Sequence, residues 1–168
     1  MRHRDHPIYS RPGHLIRRLH QIAVAIFMHE TERFNITPVQ YSALLGIELH
    51  PGIDQITLGN IIAFDRTTIG KVVRRLEDKT WVSRVPGPHD RRSKCLTITP
   101  EGRKVLRAID GAVERSQELI LAPLKPAERR VLVDMLERLV HLNNSRSRVP
   151  LGTSPDAADG LRPARSRD

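Results

Sequence analysis

The sequence predicts a mostly α fold with one β-hairpin, and three observations carry that prediction. Apolar residues recur at the three-and-four spacing of a helix face along most of the chain. Proline follows a capping position at Thr37-Pro38, Thr99-Pro100 and Lys125-Pro126, the pattern of a helix about to start. Two short alternating segments, "WVSRV" and "KCLTI", flank the turn-rich "PGPHDRRS". A length of 168 residues suits a single domain.

The first dozen residues are polar, hold Pro7 and Pro12, and read as a flexible arm over 1–12. From His14 to about Arg33, residues Leu15, Ile16, Leu19, Ile22, Ala23, Ile26 and Phe27 build one broad apolar face, with Arg18 and His20 on its flanks and Arg17 pointing away. The next helix opens at Thr37-Pro38, carries Tyr41, Leu44, Leu45 and Leu49, and stops at Pro51-Gly52. "ITLGNIIAF" is a short helix, and "DRTTIGKVVRRLEDK" is another, with Asp65 as N-cap and Ile69, Val72, Val73 and Leu76 inward. The hairpin follows. A two-stranded hairpin is marginal in water by itself, so it must pack on the helices through Leu96 and Ile98. A long helix runs from Thr99-Pro100 to Ala122-Pro123. The last runs from Lys125-Pro126 to about Asn143, with Val131, Leu132, Met135, Leu136, Leu139 and Val140 inward. The folded domain is therefore expected over 13–143. Residues 144–168, almost without large apolar side chains, read as a disordered tail.

Charge narrows the function classes. Lys and Arg number 28 against 19 acids, a formal charge of +9 that favours polyanionic partners, nucleic acid first. A single cysteine, Cys95, excludes an intrachain disulfide framework and a multi-cysteine zinc site, and fits a reducing compartment. The longest apolar block, Ile22 to Met28, is too short to span a bilayer, and no apolar run follows the basic N-terminus. The expectation is a soluble cytoplasmic protein with no membrane partner. No Walker loop, Gly-x-Ser-x-Gly elbow, dinucleotide glycine pattern or magnesium-holding carboxylate cluster is present, so neither enzymatic activity nor a cofactor is expected.

Two short helices joined by a tight turn, the second basic, suggest a helix-turn-helix, whose second helix enters the major groove. If Ile69, Val72, Val73 and Leu76 face inward, the opposite face carries Thr67, Lys71, Arg74 and Asp78, flanked by Thr68, Gly70 and Arg75. Thr67 and Thr68 can bond bases or phosphates, and Lys71 and Arg74 place cations one turn apart. Gly70 would let backbone approach the duplex. Such a helix could equally be a solvated face. The hairpin weighs against that, because from Arg66 to Lys94 nine cations, Arg91 and Arg92 among them, face only Glu77, Asp78 and Asp90. An arginine on a narrow loop fits the minor groove, and Asp90 would hold Arg92 in one rotamer.

Over roughly 14–142 the chain resembles the multiple-antibiotic-resistance regulator (MarR) family of winged-helix proteins. The sharpest match is the wing signature: Asp90-Arg91-Arg92, then Leu96, Ile98, Thr99 and Gly102. "TTIGKVVRRLEDKTWVSR" looks like the family's recognition helix and first wing strand, and "TPVQYSALLGI" like the helix after the first dimer helix. The resemblance implies a winged helix-turn-helix with N- and C-terminal dimerisation helices and a homodimer on a palindromic double-stranded operator. It implies Thr67, Thr68 and Lys71 facing the major groove and Arg92 the minor groove, oriented by Asp90. With Arg66, Arg74, Arg75 and Arg91, these make the expected DNA-binding set. Two positions depart from the family pattern: Arg74, where an acid or amide is common, and Thr80, where a glycine usually ends the helix.

The resemblance also implies a regulator that senses something. A ligand pocket between dimer helices and winged domain points to Arg18 and His20, with Phe27 and Tyr41 as walls, and an arginine beside such walls suits a small aromatic carboxylate. The alternative for Arg18 and His20 is dimer salt bridges or capping. "GHLIRRLHQIAVAIF" is similar to a subgroup tied to catabolism of aromatic acids, including nicotinate-type acids. The effector reading is thus a repressor released by such an acid. Redox sensing through Cys95 is a rival, although a quiet strand cysteine is the simpler account. Zinc sensing is another, but the eight histidines form no ligand motif, so no metal site is expected. An architectural DNA binder without effector is the remaining alternative.

Overall fold

Among the residues described, 7–86 and 94–152 of a computed structural model, six α-helices and one two-stranded antiparallel sheet make up the fold. In chain order they are α1 (Pro12–Glu30), α2 (Pro38–Leu49), α3 (Gln55–Ile61), α4 (Arg66–Asp78), β1 (Val82–Pro86), β2 (Lys94–Ile98), α5 (Pro100–Leu121) and α6 (Pro126–Asn143). Local chemistry sets most of the starts. Thr37 and Gln40 form a reciprocal capping box on α2, with N–H···O distances of 3.3 and 3.1 Å. Asp54 accepts the N–H groups of Ile56 and Thr57 to open α3, and Asp65 accepts those of Thr67 and Thr68 to open α4. Thr99 caps α5 through the Gly102 N–H at 3.0 Å.

Two helix ends differ from the sequence expectation. The first helix stops at Glu30, not near Arg33. The buried Thr31 hydroxyl donates to the Phe27 carbonyl at 2.7 Å, and Glu32–Phe34 continues as a 3-10 turn. α3 stops at Ile61, because Ala63 takes φ 56° and the Phe64 N–H turns back to the Gly59 carbonyl at 2.9 Å.

The core lies where α2, α3, α4, the sheet and α5 meet, with Leu44, Ile47, Leu58, Ile69 and Ile109 fully buried. The sheet pairs Val82 with Ile98 and Arg84 with Leu96. Leu96 and Ile98 are 1% and 4% exposed, so the hairpin does pack through them. Its root is pinned further: the Leu96 N–H donates to Ile53 O at 2.8 Å and the Gly52 N–H to Leu96 O at 3.1 Å. α5 is tied to α2 by Arg103–Glu48 and to α1 by Arg115–Glu30, both at 3.2 Å.

The face of α6 requires a correction. Val131, Met135, Leu136, Leu139 and Val140 do not point into the chain's own core; all are exposed, Leu132 is half-buried, and α6 has no buried residue. Leu15, Ile16, Leu19 and Ile22 of α1 are exposed likewise. Periodicity reports that a helix has an apolar face, not that the same chain covers it. Regular backbone also reaches into the segments assigned to arm and tail: Pro7–Ser10 and Asn144–Arg146 are 3-10 turns, and the Gly152 N–H donates to Asn60 O at 2.8 Å. No helix among the described residues is long and apolar enough to cross a membrane.

Candidate nucleic-acid interface

The orientation of α4 decides which of its side chains meet solvent. Ile69, Val73 and Leu76 are 0% exposed and Val72 is 5% exposed, so these residues hold the helix by one face, as the spacing predicts. That rotation turns Arg66, Thr67, Lys71, Arg74 and Arg75 outward, all exposed, with Asp78 at the far end. The row of cations begins at the helix N-terminus, where the helix dipole favours an anion and Asp65 already takes the Thr67 and Thr68 N–H groups.

Thr68 and Gly70 each have a close neighbour within the protein. The Thr68 hydroxyl donates to the Asp65 carboxylate at 2.6 Å, so its proton is committed within the helix start. That bond, with the Thr68 and Thr67 N–H groups, holds the Asp65 carboxyl below its usual pKa, and Arg148 contributes the same way. Asp54 repeats the device. Partial burial raises its pKa, but the Thr57 hydroxyl at 2.5 Å and the Thr57 and Ile56 N–H groups outweigh it and leave a net lowering. At Gly70, a Cβ would sit 3.2 Å from the Gln55 side-chain nitrogen of α3.

Beside α4 lies a cleft of about 370 Å³ lined by Asp54, Gln55, Ile56, Arg66, Arg84, Lys94 and Leu96. It brings the root of the wing to the N-terminus of the recognition helix. Arg84 is held there by Glu77 of α4 at 3.1 Å. Arg84, paired with Glu77, and Lys94 are both among the cations counted from the sequence, and the strand register brings them to the edge of the α4 surface. On the other flank, Arg75 shares a polar cleft of about 350 Å³ with Asn35, Thr37, Gln40, Asp78 and Lys79. Lys79 donates to the Asn35 carbonyl and lies 4.6 Å from the Trp81 ring centroid; burial lowers its pKa. The wing-tip residues Asp90, Arg91 and Arg92 lie outside the described residues.

The residues expected to bind an effector are not brought together within one chain. Phe27 is buried and packs against Tyr41, ring centroids 5.9 Å apart. Burial, then Asp110, raises the Tyr41 pKa. Arg18 and His20 are exposed, and Arg18 donates to the Gln21 side-chain oxygen at 2.9 Å. Arg18 stands roughly two and a half turns before Phe27 on α1, which puts the two on opposite sides of the helix. Cys95 is a free, half-buried strand cysteine. Among the described residues no three His, Cys, Asp or Glu side chains are grouped to hold a metal ion.

Comparison with known proteins follows the same surface. The family model described as MarR family matches residues 36–94, the span from α2 to the start of β2. A candidate transcriptional regulatory protein for the hcr operon of Thauera aromatica is 40% identical over 104 residues, 62% of this chain and 63% of that protein. The chain thus covers less than two thirds of that relative's length. The crystal structure of the PcaV transcriptional regulator from Streptomyces coelicolor, in complex with its natural ligand, is 32% identical with a TM-score of 0.71, covering 81% of this chain and 96% of that one. A structure of Bordetella bronchiseptica BpsR, whose DNA binding is regulated by 6-hydroxynicotinic acid, is 27% identical with a TM-score of 0.75, covering 80% and 96%.

Proposed function

The chain belongs to the MarR family of DNA-binding transcriptional regulators, and from that premise we propose that it is a repressor released from a near-palindromic operator by a small aromatic carboxylate. The observation that carries the DNA half is the exposed row Arg66, Thr67, Lys71, Arg74 and Arg75, continuous with Arg84 and Lys94 at the wing root. In this reading Thr67 and Lys71 reach base edges in the major groove, while Arg66, Arg74 and Arg75 contact phosphates. Thr68 acts through its cap on α4, not through a base. Arg91 and Arg92 enter the minor groove, with Asp90 orienting Arg92. The apolar faces of α1 and α6 close a homodimer, so that two recognition helices stand about one duplex turn, roughly 34 Å, apart.

The effector half is supported by BpsR, whose DNA binding responds to 6-hydroxynicotinic acid, and by Arg18 on the flank of an exposed apolar face. Because Arg18 and Phe27 lie on opposite sides of α1, in this reading the carboxylate binds at Arg18 and the second copy supplies the remaining walls. Ligand there changes the angle between the two winged lobes, and one half-site is lost. Linkage requires that the acid bind the DNA-free geometry better, and that DNA weaken acid binding by the same factor. The test is release of a labelled duplex, selected from a random pool, on titration with benzoate- and nicotinate-type acids. Arg18→Ala is expected to keep duplex binding and lose the response. Release at an unchanged acid concentration would place the carboxylate partner elsewhere.

A further inference from the structure

We propose that the segment following α6 adds a DNA contact of its own, with Arg148 as the phosphate-binding side chain at the DNA-reading end of α4. The proposal rests on the reading of α4 as the groove-entering helix. It comes from a part of the chain beyond residues 36–94, which the family model matches.

The segment is closed on itself and then fastened to the helix-turn-helix. The Asn144 side chain donates to Leu151 O at 3.0 Å and accepts the Leu151 N–H at 2.7 Å. Inside that loop the Ser147 hydroxyl donates to Val149 O at 2.9 Å and accepts the Val149 N–H at 3.2 Å. At its far end the Gly152 N–H donates to Asn60 O at 2.8 Å, and a Cβ at 152 would stand 3.0 Å from the Asn60 Cβ. Asn60 lies in the last turn of α3, and the chain passes from there through Ala63 to Asp65, the cap of α4. The loop therefore sits against the turn that joins the two helices of the motif.

Arg148 lies within this loop. It is exposed, and among the described residues it makes no hydrogen bond or ion pair. The Gly152–Asn60 bond sets its loop beside the turn that leads into Asp65, and its charge adds to the lowering of the Asp65 pKa. A phosphate approaching the start of α4 meets the exposed cations Arg66 and Lys71, but also the Asp65 carboxylate, which already takes the Thr67 and Thr68 N–H groups. A nearby guanidinium with free donors offsets that repulsion and can bind phosphate oxygens in its planar fork. The clamped loop lowers the ordering cost of presenting it.

The experiment uses the full chain, a duplex selected from a random pool, and salt titration by fluorescence anisotropy, with thermal melts alongside. Arg148→Ala is expected to weaken binding severalfold and to reduce the slope of log affinity against log salt by about one, with the melting temperature unchanged. Arg148→Lys, which keeps the charge, is expected to restore the slope. Arg146→Ala, a nearby charge removed from the same loop, is expected to change the slope less. Equal losses from Arg146→Ala and Arg148→Ala would reduce the effect to net charge and overturn the proposal. So would a lowered melting temperature with an unaltered slope, which would assign Arg148 to holding Asp65. An unaltered slope for Arg148→Ala where Lys71→Ala weakens binding would overturn the Arg148 contact and leave the recognition helix standing. Absence of duplex binding by the unaltered protein would overturn both.

Discussion

Thr80 holds a backbone conformation that its own side chain opposes. It ends α4 at φ 61°, with its N–H donating to Glu77 O at 2.8 Å and the next N–H, of Trp81, to Leu76 O at 3.0 Å. This paired closure normally uses a glycine, since a β-branched side chain crowds the left-handed region. The closure persists because it is tied at both sides: Thr80 O accepts the Thr99 hydroxyl at 2.7 Å, and β1 begins two residues later. Relieving the strain is worth about 1–2 kcal/mol, from which the greater freedom of an unfolded glycine subtracts about 0.4–1 kcal/mol. Thr80→Gly is therefore expected to raise stability by roughly 0.5–1 kcal/mol, read as a higher denaturant midpoint with an unchanged m-value and unchanged duplex affinity. A lower midpoint would mean that the Thr80 side chain contributes more than its strain costs.

At the scale of the element, α4 is fixed by its buried face and read by its exposed one. Its N-terminal half carries Arg66, Thr67 and Lys71, next to the wing-root cleft. Arg75 lies on the opposite flank, in the cleft that Asn35 and Thr37 line. A side chain placed to reach base edges and one placed toward the backbone have different signatures. Lys71→Ala is expected to change which bases a selected duplex tolerates, while Arg75→Ala weakens every sequence evenly and lowers the salt slope by about one. Competition binding against single-base variants of the duplex separates the two. Equal loss on selected and unselected DNA for Lys71→Ala would remove it from base reading.

The whole molecule carries an apolar surface that one chain leaves open. Leu139, Val140 and Leu142 of α6 are 55%, 63% and 71% exposed, and Leu15, Ile16 and Ile22 of α1 add to it. Such an expanse on terminal helices fits closure by a second copy, and two-fold closure matches a palindrome. Leu139→Glu is expected to halve the mass found by sedimentation equilibrium. Because the two half-sites are then no longer bound together, apparent duplex affinity falls by about 10²–10⁴. Retention of the parental mass would place the subunit contact elsewhere.

Local chemistry was open to sequence reading. The caps at Thr37, Asp65 and Thr99 form where their side chains reach an N–H two or three residues on, and the inward face of α4 follows from its period. The Thr68 bond to Asp65 was also written in the Asp-x-x-Thr spacing, which Asp54 and Thr57 repeat. Gly102 belonged to the wing signature, and the structure supplies the reason: a Cβ there would lie 2.3 Å from the Trp81 carbonyl oxygen. What only tertiary structure decided is of another kind. The loop at 144–151 rests on α3 through a bond between Gly152 and Asn60, residues whose sequence separation leaves no periodic trace. That a Cβ at Gly70 would meet the Gln55 side chain of α3, and that Phe27 packs on Tyr41 while Arg18 stays exposed, follow likewise from how the helices assemble. The face of α6 is apolar by sequence alone. Its exposure is a property of the assembled chain, because periodicity describes one helix and burial requires a second surface to meet it.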